Sequence, residues 1–265
     1  VKIELKRFVL LAASILLLTG PSVFCEPLQG KLSVSKEIPA VPQELKEGKI
    51  FKEENLPAMG TTQYWCWIPR WSAGTWHRET QTDFLPSGPH TEVSRTVNEQ
   101  QRGHQVDSRG GIWNRISLPS KSTVESDQYI NWQIATDSEP ITMNETETLS
   151  RVRFVSIYVD RYSGKIVRVL QQEEVRDARP NGEGRATVDS HKTIYDQNGK
   201  QLSVINSHAD YSLIRPFSPI AIDPITGLDL QKDLKNYLLS RGLTDLVPKE
   251  EINPAQFGQP RGNPF

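Results

Sequence analysis

The sequence predicts an all-β protein: an antiparallel meander that closes into a barrel or a strongly bent sheet, followed by one C-terminal helix. Three observations carry this expectation. Segments enriched in Val, Ile, Tyr, Trp and Thr recur from residue 76 to residue 217, the composition that half-buried pleated surfaces favour. Three connections between them run Asp107-Ser108-Arg109-Gly110, Asp160-Arg161-Tyr162-Ser163-Gly164 and Asp196-Gln197-Asn198-Gly199. Each places an Asp that can bond turn amides ahead of a Gly that accepts positive φ, the chemistry of tight hairpins. No helical period lies between the strands, which disfavours a parallel βαβ arrangement.

The elements follow in order. Residues 1–7 are short and net basic, residues 8–18 are uninterruptedly apolar, and Gly20-Pro21 breaks the run. This is the pattern of a secretory signal peptide, assigned to residues 1–25. The run is shorter than the roughly 20 residues that cross a bilayer. Export to a bacterial periplasm or the medium is expected, and Val1 fits a GTG start codon read literally. Cleavage after Ser22 would leave Cys25 able to pair with Cys66, whereas cleavage after Cys25 would leave Cys66 alone. Ser22-Val23-Phe24-Cys25 resembles a lipoprotein box, but Phe24 stands where a small residue is required, so lipid anchoring at Cys25 is not expected.

Residues 26–60 carry four prolines among Lys and Glu with little periodicity, which predicts a disordered or extended polar arm. Trp65, Trp67, Trp71 and Trp76, four of the chain's six tryptophans, then crowd together. Each indole buries about 200 Å², so the cluster marks a core plug or an aromatic-lined cavity. The barrel domain is assigned to residues 61–220, with strands at 76–82, 91–100, 103–107, 112–118, 123–136, 149–160, 165–175, 184–196, 201–207 and 210–217. A meander of that many strands removes its exposed edges by curling. Within 221–247, residues 228–240 set Leu230, Leu234, Tyr237 and Leu238 on one side of a helix expected to pack on the barrel. Asp229 and Asp233 suit its positive end, and Gly242 stops it. Residues 248–265, rich in Pro, Gly and Asn, read as a flexible tail.

The formal charge is −1 with both signs interspersed, and no basic patch points to nucleic acid. The five histidines lie far apart without ligand spacing, so neither a metal nor another cofactor is expected. No Gly-x-Ser-x-Gly elbow or phosphate loop occurs, and Ser33-Val34-Ser35-Lys36 lies in the arm without an oxyanion-hole context. Adjacent Glu173 and Glu174 point to opposite faces of a strand, unsuited to paired acid–base work. Asn144-Glu145-Thr146 is a glycosylation sequon, meaningful only in a eukaryotic secretory route. With no nucleophile–base pair, the chain does not read as an enzyme.

One constellation remains. If Trp76 faces inward so does Arg78, and if Val93 and Val97 do so does Arg95. Arginines on an apolar inner face are costly unless paired or ligand-facing. Trp76, Arg78, Val93, Arg95 and Trp132 are therefore the candidate ligand-binding residues. The competing structural role is a salt bridge or a guanidinium–indole stack that seals the barrel end.

Arg70-Trp71-Ser72-Ala73-Gly74-Thr75-Trp76 resembles the turn and Gly-x-Trp opening of the first barrel strand in lipocalins and their calycin relatives. In that family the tryptophan packs under an arginine from the last strand, and Arg215 is similarly placed. The helix at 228–240 resembles the family's post-barrel helix. The family's middle Asp-Tyr motif has no counterpart in place, since Asp210-Tyr211 falls too late. The resemblance implies a calycin-like barrel closed by Gly74, Trp76 and Arg215, and an exported, non-enzymatic protein binding a small apolar or anionic amphipathic ligand in its cavity. The alternative is an envelope structural module with a solid-packed barrel, meeting a protein partner through the N-terminal arm.

Overall fold

The computed structural model of the protein describes residues 38–85, 87–93 and 99–248. The expected signal peptide, Cys25, Arg95, Val97 and nearly all of the tail lie outside the described residues.

Two antiparallel sheets form the molecule. The small one has strand order β1-β6-β5, built from β1 (Thr62–Ile68), β5 (Gln105–Val106) and β6 (Ile112–Leu118). The large one is nine-stranded. Its members are β2 (Gly74–Leu85), β3 (Gly88–Val93), β4 (Glu99–Arg102), β7 (Ser120–Glu125) and β8 (Tyr129–Met143), then β9 (Thr148–Asp160), β10 (Ile166–Pro180), β11 (Arg185–Tyr195) and β12 (Gln201–Pro216). Their order is β3-β2-β12-β11-β10-β9-β8-β7, with β4 beside the first residues of β2. The sheet curls into a half-barrel whose order is linear, so the bent-sheet form of the expectation holds and the ring stays open.

The long pairing of β2 with β12 joins the start of the meander to its end. Gly74 makes this close approach: its φ is +124°, and a Cβ there would stand 2.6 Å from the Arg215 carbonyl oxygen. The three hairpin turns form as their sequences direct. Asp107 Oδ1 accepts the amides of Arg109 and Gly111 at 2.8 and 2.9 Å. Asp160 Oδ1 accepts those of Tyr162 and Ser163, and Asp196 Oδ1 those of Asn198 and Lys200. Asn144 of the sequon has the same role, its Oδ1 accepting from the amides of Thr146 and Glu147.

The reading of residues 38–60 as a free polar arm is corrected. Val41 and Leu45 are buried, and with Phe51 and Leu56 they press on Ile157, Val159, Ile166 and Val169 of the convex face. Backbone bonds tie the strap down: Ile38 N to Gly199 O, Val41 N to Gln197 O, Phe51 N to Gly164 O and Ile166 N to Lys49 O, all between 2.8 and 3.1 Å. Irregularly spaced pegs escape a test for periodicity, yet each fully buried Val or Leu contributes about 1.5–3 kcal/mol.

The helix is found at α1 (Leu230–Ser240), with Asp229 Oδ1 capping the Lys232 amide at 2.9 Å. Its position differs from expectation. Leu230, Leu234 and Leu238 dock on Trp65 and Trp113 of the small sheet and not on the outside of the curved one. The tryptophan cluster explains this: alternate residues of β1 bury in opposite directions, Trp65 toward the helix and Cys66 and Ile68 toward a second core. Asp233 accepts from Trp65 Nε1 at 2.9 Å and from Arg115 Nε at 3.1 Å, which fixes helix and sheet together.

Candidate functional site

The small sheet sits over one end of the concave face of the large sheet and encloses space there. A cavity of about 290 Å³ lies between Cys66, Ile68 and Ile116 above and Val152, Ala178 and Val188 below. A second, of about 370 Å³, continues along the concave face among Arg78, Gln133, Glu174, Lys192, Ser207 and Tyr211. Gln100, Arg176 and Val188 border both, so the two adjoin along the trough of the curled sheet, one mainly apolar and the other polar.

Strand alternation builds this lining. On β10, Gln172, Glu174, Arg176 and Ala178 face the trough, whereas Val169, Gln171 and Glu173 face the strap or its surroundings. On β9, Val152, Phe154 and Ser156 face inward while Ile157 and Val159 are buried outward. Glu174 and Glu173 thus point to opposite faces: Glu174 pairs with Arg176 at 2.7 Å, and Glu173 with Arg153 at 2.8 Å.

The trough's charges are unevenly compensated. Burial raises the Glu174 carboxyl, but the Arg176 guanidinium, with Lys192 and the Ser190 hydroxyl, outweighs it and holds the group below its usual value. Arg176 also lies over the Phe154 ring, 5.5 Å from its centroid. Lys192 reaches Asp83 at 3.4 Å, and that carboxylate also accepts from Ser207 at 2.6 Å. The Asp83 carboxyl, which burial alone would raise, is held down by Ser207, Gln81 and Lys192. Arg78 donates to Gln81 and forms no ion pair among the described residues. Arg102, on β4 beside Gly74, lines the apolar cavity and likewise has no carboxylate partner among the described residues.

The structure brings only some of the sequence-predicted residues together. Trp76 and Arg78 both lie on the concave side, opposite Leu213 and Tyr211 of β12. Trp76 is buried, its Nε1 donating to Ser72 O at 3.0 Å, so the indole forms part of the packed base. Val93 was expected inside but stands 62% exposed on β3, whose outer side pairs with no strand among the described residues. Trp132 was expected to line the cavity but belongs to the opposite face. It packs against Phe51 of the strap at 4.9 Å and carries Lys121 at 5.6 Å. The indole is one residue from Gln133, which does face the trough, and the missed turn between β7 and β8 is what obscured that register.

Arg215 does not cover Trp76. A bulge between Leu213 and Arg215 sets it opposite Thr75, on the other face. There its Nε lies 3.5 Å from Thr75 Oγ1, and its Nη2 meets the Glu99 carboxylate. Sequence reasoning overlooked Arg102, Glu174, Arg176, Lys192 and Tyr211. The signal available was the run Gln172–Ala178, in which alternate positions stay polar on the very face expected to be apolar.

The fold is therefore an all-β one: an open, curled antiparallel sheet with a capping subsheet and a single α-helix among the described residues. No family model matches the chain, and no curated protein or solved structure matches it either. Among the described residues no helix is long and apolar enough to cross a membrane, and no group of three His, Cys, Asp or Glu side chains could hold a metal ion.

Proposed function

We propose that the protein is an exported, non-enzymatic binder of a small amphipathic molecule, held in the trough of its curled sheet. The observation that carries this reading is the adjacency of an apolar and a polar cavity that share Gln100, Arg176 and Val188 as walls. Ligand sites are concave, with apolar walls and a few placed polar groups, and span about 300–1,000 Å³. Here the walls supplied by Ile68, Ile116 and Val152 suit a hydrocarbon portion, and the row of Gln, Ser, Arg and Tyr side chains beyond suits a polar one. Export rests on the basic, apolar and helix-breaking succession of residues 1–21. The open ring is compatible with a calycin-like ancestry, and Gly74-Thr75-Trp76 opens β2 as that resemblance implies.

Titration calorimetry against single-chain amphiphiles of differing head group and length tests the reading. Saturable binding is expected, and Val188→Trp, which enlarges a wall shared by both cavities, should abolish it while leaving the far-ultraviolet spectrum and thermal midpoint close to those of the parent. Silence across the panel would overturn the proposal. The other reading, an envelope interaction module, gains its support from the exposed edge strands β3 and β7, since residues 38–57 of the arm are already engaged on the convex face. Pulldown partners lost on proline substitution in β7, with no amphiphile bound, would favour it.

A further inference from the structure

The trough holds an arginine that folding alone does not explain. Arg176 has Glu174, Lys192 has Asp83, and Arg115 beneath the helix has Asp233 and Asp223. Arg102 has no carboxylate among the described residues, although it is only partly exposed and lines the smaller cavity. Burial pushes its guanidinium below the ordinary arginine value; Tyr211 opposes that push and the charge of Arg176 adds to it. Removing a guanidinium from water beside another cation costs free energy that no carboxylate among the described residues returns. The position is held in place all the same. Arg102 is set by the register Gly74–Arg102 and Trp76–Gln100, so it shares the trough face with Gln100.

We propose that Arg102 is the anchor for the anionic head of the ligand, with Arg176, Gln100 and Tyr211 completing the recognition site. The ligand class is a single-chain amphiphile with a carboxylate or phosphate head, its apolar chain directed toward Ile68, Ile116 and Val152. This rests on the binding function proposed above and deepens it. An oxyanion there gains a planar, bidentate fork from Arg102, the arrangement that makes guanidinium pairing with carboxylate or phosphate strong. The small volume of the apolar end suits a medium-length chain. The Arg176–Glu174 pair contributes donors without adding net charge. Arg78, opposite Tyr211 in the polar cavity and also without a carboxylate among the described residues, draws the anion in.

The test compares decanoate, decyl phosphate, decanol and decyltrimethylammonium by calorimetry on the parent protein and on Arg102→Gln, Arg102→Lys and Arg78→Gln. Either or both anions should bind at least tenfold more tightly than decanol, and the cation should not bind. Arg102→Gln should remove that preference, and Arg102→Lys should restore only part of it. The unliganded thermal midpoint of Arg102→Gln should equal or exceed the parent's, because an uncompensated charge has been withdrawn; a merely structural arginine would lower it. Arg78→Gln should slow anion association with a smaller loss of affinity. Decanol and decanoate binding equally, unaffected by Arg102→Gln, would overturn anion recognition and leave the trough as a binding site. No binding by any of the four would remove both. A preference for decanoate over decyl phosphate, or the reverse, would assign the head group.

Discussion

The two faces of β9 and β10 are made by the same strands, yet they differ in kind. On the convex face Ile157, Val159, Ile166 and Val169 are covered by the strap, and Val41 and Leu45 fill the space above them. On the concave face the alternate residues are Phe154, Ser156, Gln172, Glu174 and Arg176, bordering a trough that the described residues leave unfilled. Covering orders some twenty residues of strap, held by its apolar pegs and by backbone bonds to the sheet and its turns. A face that gets this treatment is serving stability. A face kept open, with one arginine compensated and another not, is serving something else.

The largest test of that distinction is a pair of truncations on one strand. Ile157→Ala on the strapped face should lose about 2–5 kcal/mol of unfolding free energy in urea titration, as buried aliphatic truncations do. Val152→Ala, on the trough side where space already exists, should lose no more than about 1 kcal/mol. Equal losses would mean the concave face is packed for stability too. Next in size is Gly74→Ala. The positive φ and the crowding by the Arg215 carbonyl should cost about 1–3 kcal/mol. Amide exchange should quicken along β2 and β12, which carry both faces, and stay unchanged in the strap; unchanged exchange in β2 would show that the close approach is not needed.

The smallest effects concern acidity, and they separate the capping subsheet from the curled sheet. Burial holds the His104 imidazole below its usual value, with Asp223 opposing, and its Nδ1 accepts the Arg115 amide at 3.0 Å. The unfolded chain binds a proton near pH 6.5 and the folded one only below that, so this contribution is complete above about pH 6.5 and is lost as pH falls from there through the lower folded value. His208 runs the other way: its bond to Asp189 raises it, so its contribution is present in acid and fades as pH climbs through the raised value. Denaturation midpoints from pH 5 to pH 8 should lose their acid-side slope in His104→Gln and their alkaline-side slope in His208→Gln. Identical profiles in all three proteins would refute both assignments.

Much of the sheet was legible because its turns are written locally. Asp107, Asp160 and Asp196 each announce a hairpin with one carboxylate, and the amides they bind are within four residues. The Asp223 turn has the same chemistry, Oδ1 accepting the amides of Ile225 and Thr226, and fell outside the strand region where it was sought. The register of β8 was not legible, since Ser126-Asp127-Gln128 offers no glycine to mark its hairpin. Nor was β12 visible as a single strand. Its middle, Ser207–Asp210, alternates Ser and Ala inward with His and Asp outward, so hydrophobicity gives no period. The binding residues were hidden for a related reason. Trp76 and Arg78 can be ranked on one strand, but Arg102, Arg176 and Tyr211 come to one trough only when the sheet curls and brings together β4, β10 and β12, which are neither consecutive in the chain nor neighbours in the sheet. The implied Arg215–Trp76 stack failed at a single inserted residue, which no pattern of spacing foretold.

The strap also sets the order in which the protein can assemble. The Glu47 amide finds its acceptor on Gln197, 150 positions further on, and the guanidinium of Arg215 reaches back 140 positions to Thr75. Contacts of that span must wait until loop closure is paid for by the hairpins between them. The stretch that precedes every strand of the two sheets must therefore wait for β9 and β10 to give its pegs a face, and for the turn between β11 and β12 to give Ile38 and Val41 their acceptors.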